Sequence, residues 1–265
     1  MEIFRVEGLT VRNRKDNAIL LKDISFSLNQ GEILGILGES GSGKSLTSLA
    51  ILGLLPPGLE VESGAIYYKG KNLLSFSPEE WEDIRGKEIS IILQDPLTSL
   101  NPVLTIGEQI IEVLEAHLGM DKRSAWKRAI ELLSEVRIPE PELMMKSYPH
   151  QLSGGMRQRA MIAIALACDP TVLIADEPTT ALDPTLQLQV LELLKELNQK
   201  RGLSIIFITH DLGVMRCIAD RIVVYYKGEV VEVGETQKVF SKPTHPYTLS
   251  LLLSYPGSPL NATHA

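Results

Sequence analysis

A chain of 265 residues with net charge −7, 44% hydrophobic and 22% charged residues has the make-up of an ordinary globular protein with ample core, in one large domain or two modest ones. The acidic balance argues against a broad nucleic-acid surface. No apolar run approaches the ~20 residues of a membrane span, and the first residues lack the basic-then-apolar pattern of a secretory signal. Cys168 and Cys217 lie far apart without C-x-x-C spacing, so neither a disulfide framework nor a zinc site is expected. Both are expected to be buried structural thiols, in a reduced compartment.

In chain order, residues 2–11 and 18–28 alternate as antiparallel strands, with Arg12 to Asn17 as the turn. The cluster Arg12-Asn13-Arg14-Lys15 is read as a solvated turn. Ile33 to Leu37 is a short apolar run suited to a buried parallel strand. Leu46 to Leu52 is helix-compatible until Pro56-Pro57. Residues 63–70 read as another strand. Ser77-Pro78-Glu79-Glu80 is a helix start, with a Ser cap, Pro at the first position and acids in the first turn. Ile89 to Leu93 is a buried strand that delivers Gln94. From about Thr105 to Met145 the pattern is helical, with two apolar stripes and no strand candidate. Helix signals resume over 154–167. The strand Thr171 to Ala175 ends in Asp176-Glu177. An amphipathic helix follows over 185–200, then a core strand over 203–209 ending at His210. Short strands over 221–226 and 229–233 meet at Lys227-Gly228. A short apolar helix, 249–253, closes the pattern. Alternating strands and helices with functional groups at strand ends predict an α/β protein. Its parallel sheet would carry ligands at the carboxyl edge and be interrupted by a helical insertion.

The chemistry centres on Gly38-Glu39-Ser40-Gly41-Ser42-Gly43-Lys44-Ser45, which fits G-x-x-x-x-G-K-[ST] between a predicted strand and a predicted helix. Glycines there let backbone N–H groups face phosphates, and the helix turns its positive end toward them. Lys44 would reach the β- and γ-phosphates, and the Ser45 hydroxyl would hold Mg²⁺. The competing reading, a chance glycine turn, lacks the flanking strand and helix. Asp176-Glu177 at a strand end could be a solvated pair, or a metal-holding acid beside one that orients water. Ser153-Gly154-Gly155 opens a second helix with a good N-cap and exposed amides. It could be a cap without a ligand.

The ordered set resembles the ATP-binding subunits of ABC transporters over nearly the whole chain. It comprises the phosphate loop, Gln94, Leu152-Ser153-Gly154-Gly155-Met156, the strand ending in Asp176-Glu177, Ala181-Leu182-Asp183 and Ile208-Thr209-His210-Asp211. The resemblance implies a P-loop (RecA-like) parallel-sheet core at about 1–98 and 159–240. It adds an antiparallel β subdomain and an inserted α-helical subdomain at about 99–158. The ATPase domain would span 1–256, overlapping a tail at 241–265. Two cassettes would sandwich ATP and Mg²⁺ head to tail. Glu177 would polarise the attacking water, His210 would sense the γ-phosphate, and Gln94 and Asp176 would join Ser45 around Mg²⁺. Ser153, Gly154, Gly155 and Gln158 would face the partner's ATP, and Asp183 would bridge protomers. Members of the family usually place an aromatic residue near position 12 or 13 to stack on adenine. Here Arg12 is the candidate, through its guanidinium plane.

Gln94 to Pro102 and the tail His245-Pro246-Tyr247-Thr248 look like the dipeptide, oligopeptide and nickel importer branch. That likeness implies a peripheral ATPase at the cytoplasmic face of a membrane. Its partners would be a second ATPase subunit (a paralogue), two permease subunits and, indirectly, an extracytoplasmic solute-binding protein, with no nucleic acid. A non-transport ATPase of the same fold, an ATPase for another small-solute importer, and a kinase or GTPase using the same loop are the alternatives.

Overall fold

The computed structural model describes residues 1–180 and 182–255, and these divide into two compact units, 1–77 with 204–255 and 78–203. Ala181 of the Ala181-Leu182-Asp183 motif and the tail from 256 onward lie outside the described residues. The strands are β1 Glu2–Asn13, β2 Ile19–Asn29, β3 Ile33–Leu37, β4 Leu59–Tyr68, β5 Lys71–Asn72, β6 Ile89–Ile92, β7 Val172–Asp176, β8 Ser204–Thr209, β9 Arg221–Tyr226 and β10 Glu229–Glu235. The helices are α1 Lys44–Ile51, α2 Pro78–Ile84, α3 Pro96–Ser99, α4 Ile106–Leu118, α5 Lys122–Glu135, α6 Pro141–Met144, α7 Gly154–Ala165, α8 Pro184–Arg201, α9 Leu212–Ile218, α10 Thr236–Ser241 and α11 Pro246–Leu253.

The first unit holds two sheets. In one, the antiparallel order is β2-β1-β4-β5, with Leu9, Val11, Leu21, Ile24 and Ile66 turned to a dry interior. In the other, β3 lies between parallel neighbours β8 and β9, and β10 returns antiparallel to β9. Every residue of β3 and β8 is buried, the condition that makes both read as unbroken apolar runs. The register pairs Leu37 with Thr209. The phosphate loop and His210 therefore leave the same edge from adjacent strands, as expected for ligands at the carboxyl ends of a parallel sheet.

The second unit repeats that arrangement. β6 and β7 are parallel, with Ile92 opposite Ala175, so Gln94 and Asp176-Glu177 also leave one edge together. The helical stretch begins at α4 with a capping box. The Thr105 hydroxyl accepts from the Glu108 amide at 3.2 Å, and the Glu108 carboxylate accepts from the Thr105 amide at 2.7 Å. Asp121 caps α5 by accepting from the amides of Arg123 and Ser124. Arg201 at the end of α8 pairs with Glu135 and Asp169, tying α8 to the end of α5.

The long helices and the core strands stand where the hydrophobic pattern predicts them. Three short helices were not anticipated: α3, α9 and α10. Each is only four to seven residues long, too short for a 3.6-residue period to emerge. The expectation for the cysteines is half wrong. Cys168 is buried, and burial pushes its thiol pKa up, aided by the nearby Asp169 charge. Cys217 is exposed, because it lies on the outer face of α9, whose inner face is Leu212, Val214, Met215 and Ile218. Among the described residues no helix is long and apolar enough to cross a membrane.

Candidate nucleotide site

The phosphate loop is shaped by glycine where nothing else fits. A Cβ on Gly38 would stand 2.6 Å from the Tyr225 carbonyl oxygen. Gly43 has φ of +103°, and a Cβ there would stand 2.5 Å from Leu21 Cδ2. The loop is held from outside by the β9–β10 turn, whose Gly228 amide donates to the Ser42 carbonyl at 3.0 Å. Beneath it, the Thr47 hydroxyl donates to the Gly43 carbonyl at 3.0 Å and lies 3.3 Å from the Tyr225 hydroxyl. Tyr225 is fully buried, and burial drives its phenol pKa strongly upward, so it stays protonated as a neutral strut.

Lys44 is the first residue of α1 and only 4% exposed. Its Nζ donates to the carbonyls of Gly38 and Glu39, both at 2.8 Å. A buried ammonium at the positive end of a helix is electrostatically unfavourable unless acceptors surround it. Two carbonyls now serve, curling the side chain around the loop; a phosphate is the stronger acceptor for the same place. The Ser42 hydroxyl is buried there without a hydrogen-bond partner, an acceptor or donor left for a ligand.

In the second unit the carboxylate of Glu177 is built into a small network. Its Oε2 accepts from Gln94 Nε2 and from the Thr180 hydroxyl, both at 3.0 Å. Glu177 takes φ of +47°, a left-handed conformation costly for a non-glycine residue and typical of functional sites. Asp176 and Glu177 are both buried, at 6% and 9% exposure. Thr179 receives a bond from Gln187 of α8 at 3.3 Å, which secures the turn carrying Thr180. Among the described residues no group of three or more His, Cys, Asp or Glu gathers to hold a metal ion. Within this unit Asp176 and Gln94 offer carboxylate and amide oxygens, hard donors of the kind that suits Mg²⁺. Gln94 uses its nitrogen on Glu177, which turns its amide oxygen to other work.

The remaining predicted residues divide. His210 is exposed at the end of β8, and Asp211 after it caps α9 by accepting from the Val214 amide at 3.0 Å. Ser153 caps α7, accepting from Met156 at 3.3 Å. Gly155 is explained by packing, since a Cβ would press on Leu186 at 3.1 Å. Gly154 is not: its nearest neighbour, Leu182 Cδ2, lies at 4.0 Å, so the open side faces outward. Gln158 is interior, 1% exposed, with Nε2 unpartnered, so it is not placed to meet a nucleotide from solvent. Asp183 spends a carboxylate oxygen on capping α8. Arg12 is clasped by Glu60 at 2.7 Å and Glu62 at 3.5 Å, contacts that use the N–H edges of its guanidinium. Glu39, Ser40 and Gly41 form the exposed crest of the loop. Sequence reasoning missed Thr180, Tyr225 and Gly228; of these only Gly228, in its Lys-Gly turn, carried a local signal.

The chain is similar to known proteins in sequence and in fold. The ABC transporter family model matches residues 21–180. The dipeptide transport ATP-binding protein of Lactococcus lactis is 53% identical over 89% of this chain and 68% of its own length. The oligopeptide transport ATP-binding protein of Haemophilus influenzae is 47% identical over 98% of this chain and 84% of its own. Among solved structures, a dimeric bacterial ABC transporter cassette matches with TM-score 0.78 and 31% identity, covering 88% of this chain and 99% of that one. With the phosphate loop, the Glu177 network and these likenesses together, the chain belongs to the ABC transporter family and is one of its ATP-binding ATPase cassettes.

Proposed function

We propose that this cassette hydrolyses ATP with Mg²⁺ to power import of peptides through partner permeases. The observation that carries the reading is the Gln94–Glu177–Thr180 network, joined in this chain to a phosphate loop whose lysine stands buried at a helix start. The branch assignment is supported by relatives named for dipeptide and oligopeptide transport, and by one named for glutathione import in Salmonella typhimurium, 47% identical over 96% of this chain. Nickel chelates are a second cargo class, suggested only by the 94–102 and 245–248 motifs.

The phosphate loop, residues 38–45, binds the triphosphate, with Lys44 turning from its two carbonyls to the phosphates. Ser45, Asp176 and Gln94 are proposed as Mg²⁺ ligands, and the ion would supply charge neutralisation at the phosphates. Glu177 orients and deprotonates water, with Gln94 and Thr180 fixing its carboxylate; such a base is worth about 10²–10⁴-fold in rate. His210 reads the γ-phosphate from the end of β8. Ser153 and Gly154 of a second cassette, a paralogue in this proposal, complete the site, with Asp183 between protomers. A related cassette solved in a dimeric post-hydrolysis state with ADP and Pi, 31% identical, supports that assembly. Arg12 would stack on adenine through a guanidinium face while its N–H edge stays paired with Glu60. The division into a RecA-like core, a helical subdomain at about 99–158 and a tail, and a peripheral place at the cytoplasmic membrane face, belong to the same proposal.

The test is purification of the full chain with its native partners, followed by ATPase and peptide-uptake assays in proteoliposomes. Co-purifying permeases and peptide-dependent turnover are expected. Co-purification with ribosomes or DNA instead would overturn the transport reading. Glu177→Gln should retain ATP binding and lose about 10²–10⁴-fold in kcat; wild-type turnover in that variant would remove Glu177 as the base.

A further inference from the structure

The His245-Pro246-Tyr247-Thr248 motif, which marks the branch by resemblance, opens α11. Its anchoring is specific. Glu232 of β10, 8% exposed, accepts from the Thr244 amide at 2.7 Å, the Thr244 hydroxyl at 2.9 Å and the His245 amide at 3.1 Å. His245 then caps α11, its Nδ1 accepting from the Tyr247 amide. These bonds fix where α11 starts and therefore where Tyr247 points. Its ring lies 4.1 Å, centroid to centroid, from that of Tyr226.

Tyr226 belongs to the turn that holds the phosphate loop. The preceding Tyr225 carbonyl is the atom that leaves no room for a Cβ on Gly38, and Gly228, two residues on, donates to Ser42. The Tyr247 hydroxyl lies in the field of Glu39, within the loop itself: burial, and then that charge, push its pKa up. The other end of the segment is similarly placed. The Tyr255 hydroxyl abuts Gly213, where a Cβ would meet it at 2.5 Å, next to Asp211 of the His210 segment. Leu252 joins Leu37 and Leu212, the residues just before the phosphate loop and just after that segment, in one buried cluster.

We propose that Tyr247 is a positioning residue for nucleotide binding, bracing the phosphate loop through its ring contact with Tyr226. The inference rests on the functional reading above. Loss of the ring frees the β9–β10 turn, loosens Gly38 and Ser42, and weakens phosphate binding without removing any group that touches the nucleotide.

The experiment is calorimetric titration of the full chain with ADP. Tyr247→Ala should weaken ADP binding by about three- to tenfold, the scale of an aromatic pair, while Tyr247→Phe restores wild-type affinity. Val239→Ala, which removes volume from the same cluster without touching the Tyr226–Tyr247 ring pair itself, serves as the packing control; it should lower the melting temperature and leave ADP affinity alone. If Tyr247→Ala does not fold, Tyr247→Leu keeps the bulk without the ring and should show the same loss. Wild-type affinity in the Ala or Leu variant, or an equal loss in Val239→Ala, overturns the proposal. Failure of the wild-type chain to bind ADP would instead overturn the functional reading on which it stands.

Discussion

Two helices of this chain open from glycine-rich loops, and they deal with their first amides in different ways. At α7 the chain supplies its own acceptor: the Ser153 hydroxyl accepts from the Met156 amide. At α1 the capping position is Gly43, which has no side chain, and the first helical residue is a cation at the helix's positive end. By the ordinary rules of helix termini that is a poor start. The loop tolerates it because Lys44 folds back on two carbonyls, an arrangement that a phosphate can replace with a better one. One helix start carries a side-chain cap from its own sequence; the other has none. Glycine also differs in meaning between them. At Gly38 and Gly43 a side chain collides with the protein, whereas at Gly154 it would meet open space.

The comparison breaks most sharply at Lys44. Lys44→Ala should cost on the order of tenfold to a hundredfold in nucleotide affinity, since a charge-assisted contact is lost. Fluorescent-nucleotide titration reads this, and unchanged affinity would show that α1 needs no anion. Next is Gly43→Ala, which forces a side chain into a left-handed conformation against Leu21. It should lower stability by about 1–3 kcal/mol in urea unfolding. Ser153→Ala should cost about 1 kcal/mol in the same assay, the ordinary worth of an N-cap. Gly154→Ala should leave the fold within ~0.5 kcal/mol and yet reduce ATP turnover in the assembled transporter. A variant with full turnover would reduce Gly154 to a helix residue like any other.

A pH-dependent effect concerns the anchored tail. Burial works to raise the Glu232 pKa, but the neighbouring Thr248 hydroxyl and the bonds from Thr244 and His245 outweigh it and hold it below the usual carboxylate range. A carboxylate lowered on folding contributes stability that is present above its unfolded pKa, near 4.3, and is lost as pH falls through the folded value. Glu232→Gln should therefore be less stable by about 1 kcal/mol at pH 7. The gap should close in thermal melts taken progressively below pH 4. A gap independent of pH would assign the effect to packing instead.

Much of the nucleotide-binding half was legible because its determinants are local. A strand, three glycines, a lysine and a helix follow one another within 20 residues, and each constrains backbone geometry by itself. The same holds for Ser153 as a cap and for the strand that ends in Asp176-Glu177. The long helices were readable because their periods repeat. The order of these elements also carried the family resemblance, and the likeness to known cassettes bears it out.

What the tertiary structure decided was the identity of partners distant in the chain. Gln94 meets Glu177 across 83 residues, and Arg12 meets Glu60 across 48. Thr180 orients Glu177, yet nothing in a Thr-Thr pair announces a carboxylate's partner. Cys217 faced outward against expectation because a seven-residue helix shows no period that would tell its inner face from its outer one. The sequence by itself determined which groups stand at the strand ends, since backbone geometry follows from neighbours along the chain. Which of those groups bond to one another, and that the tail braces the loop through Tyr226, depended on strand register and burial, which only the folded chain sets.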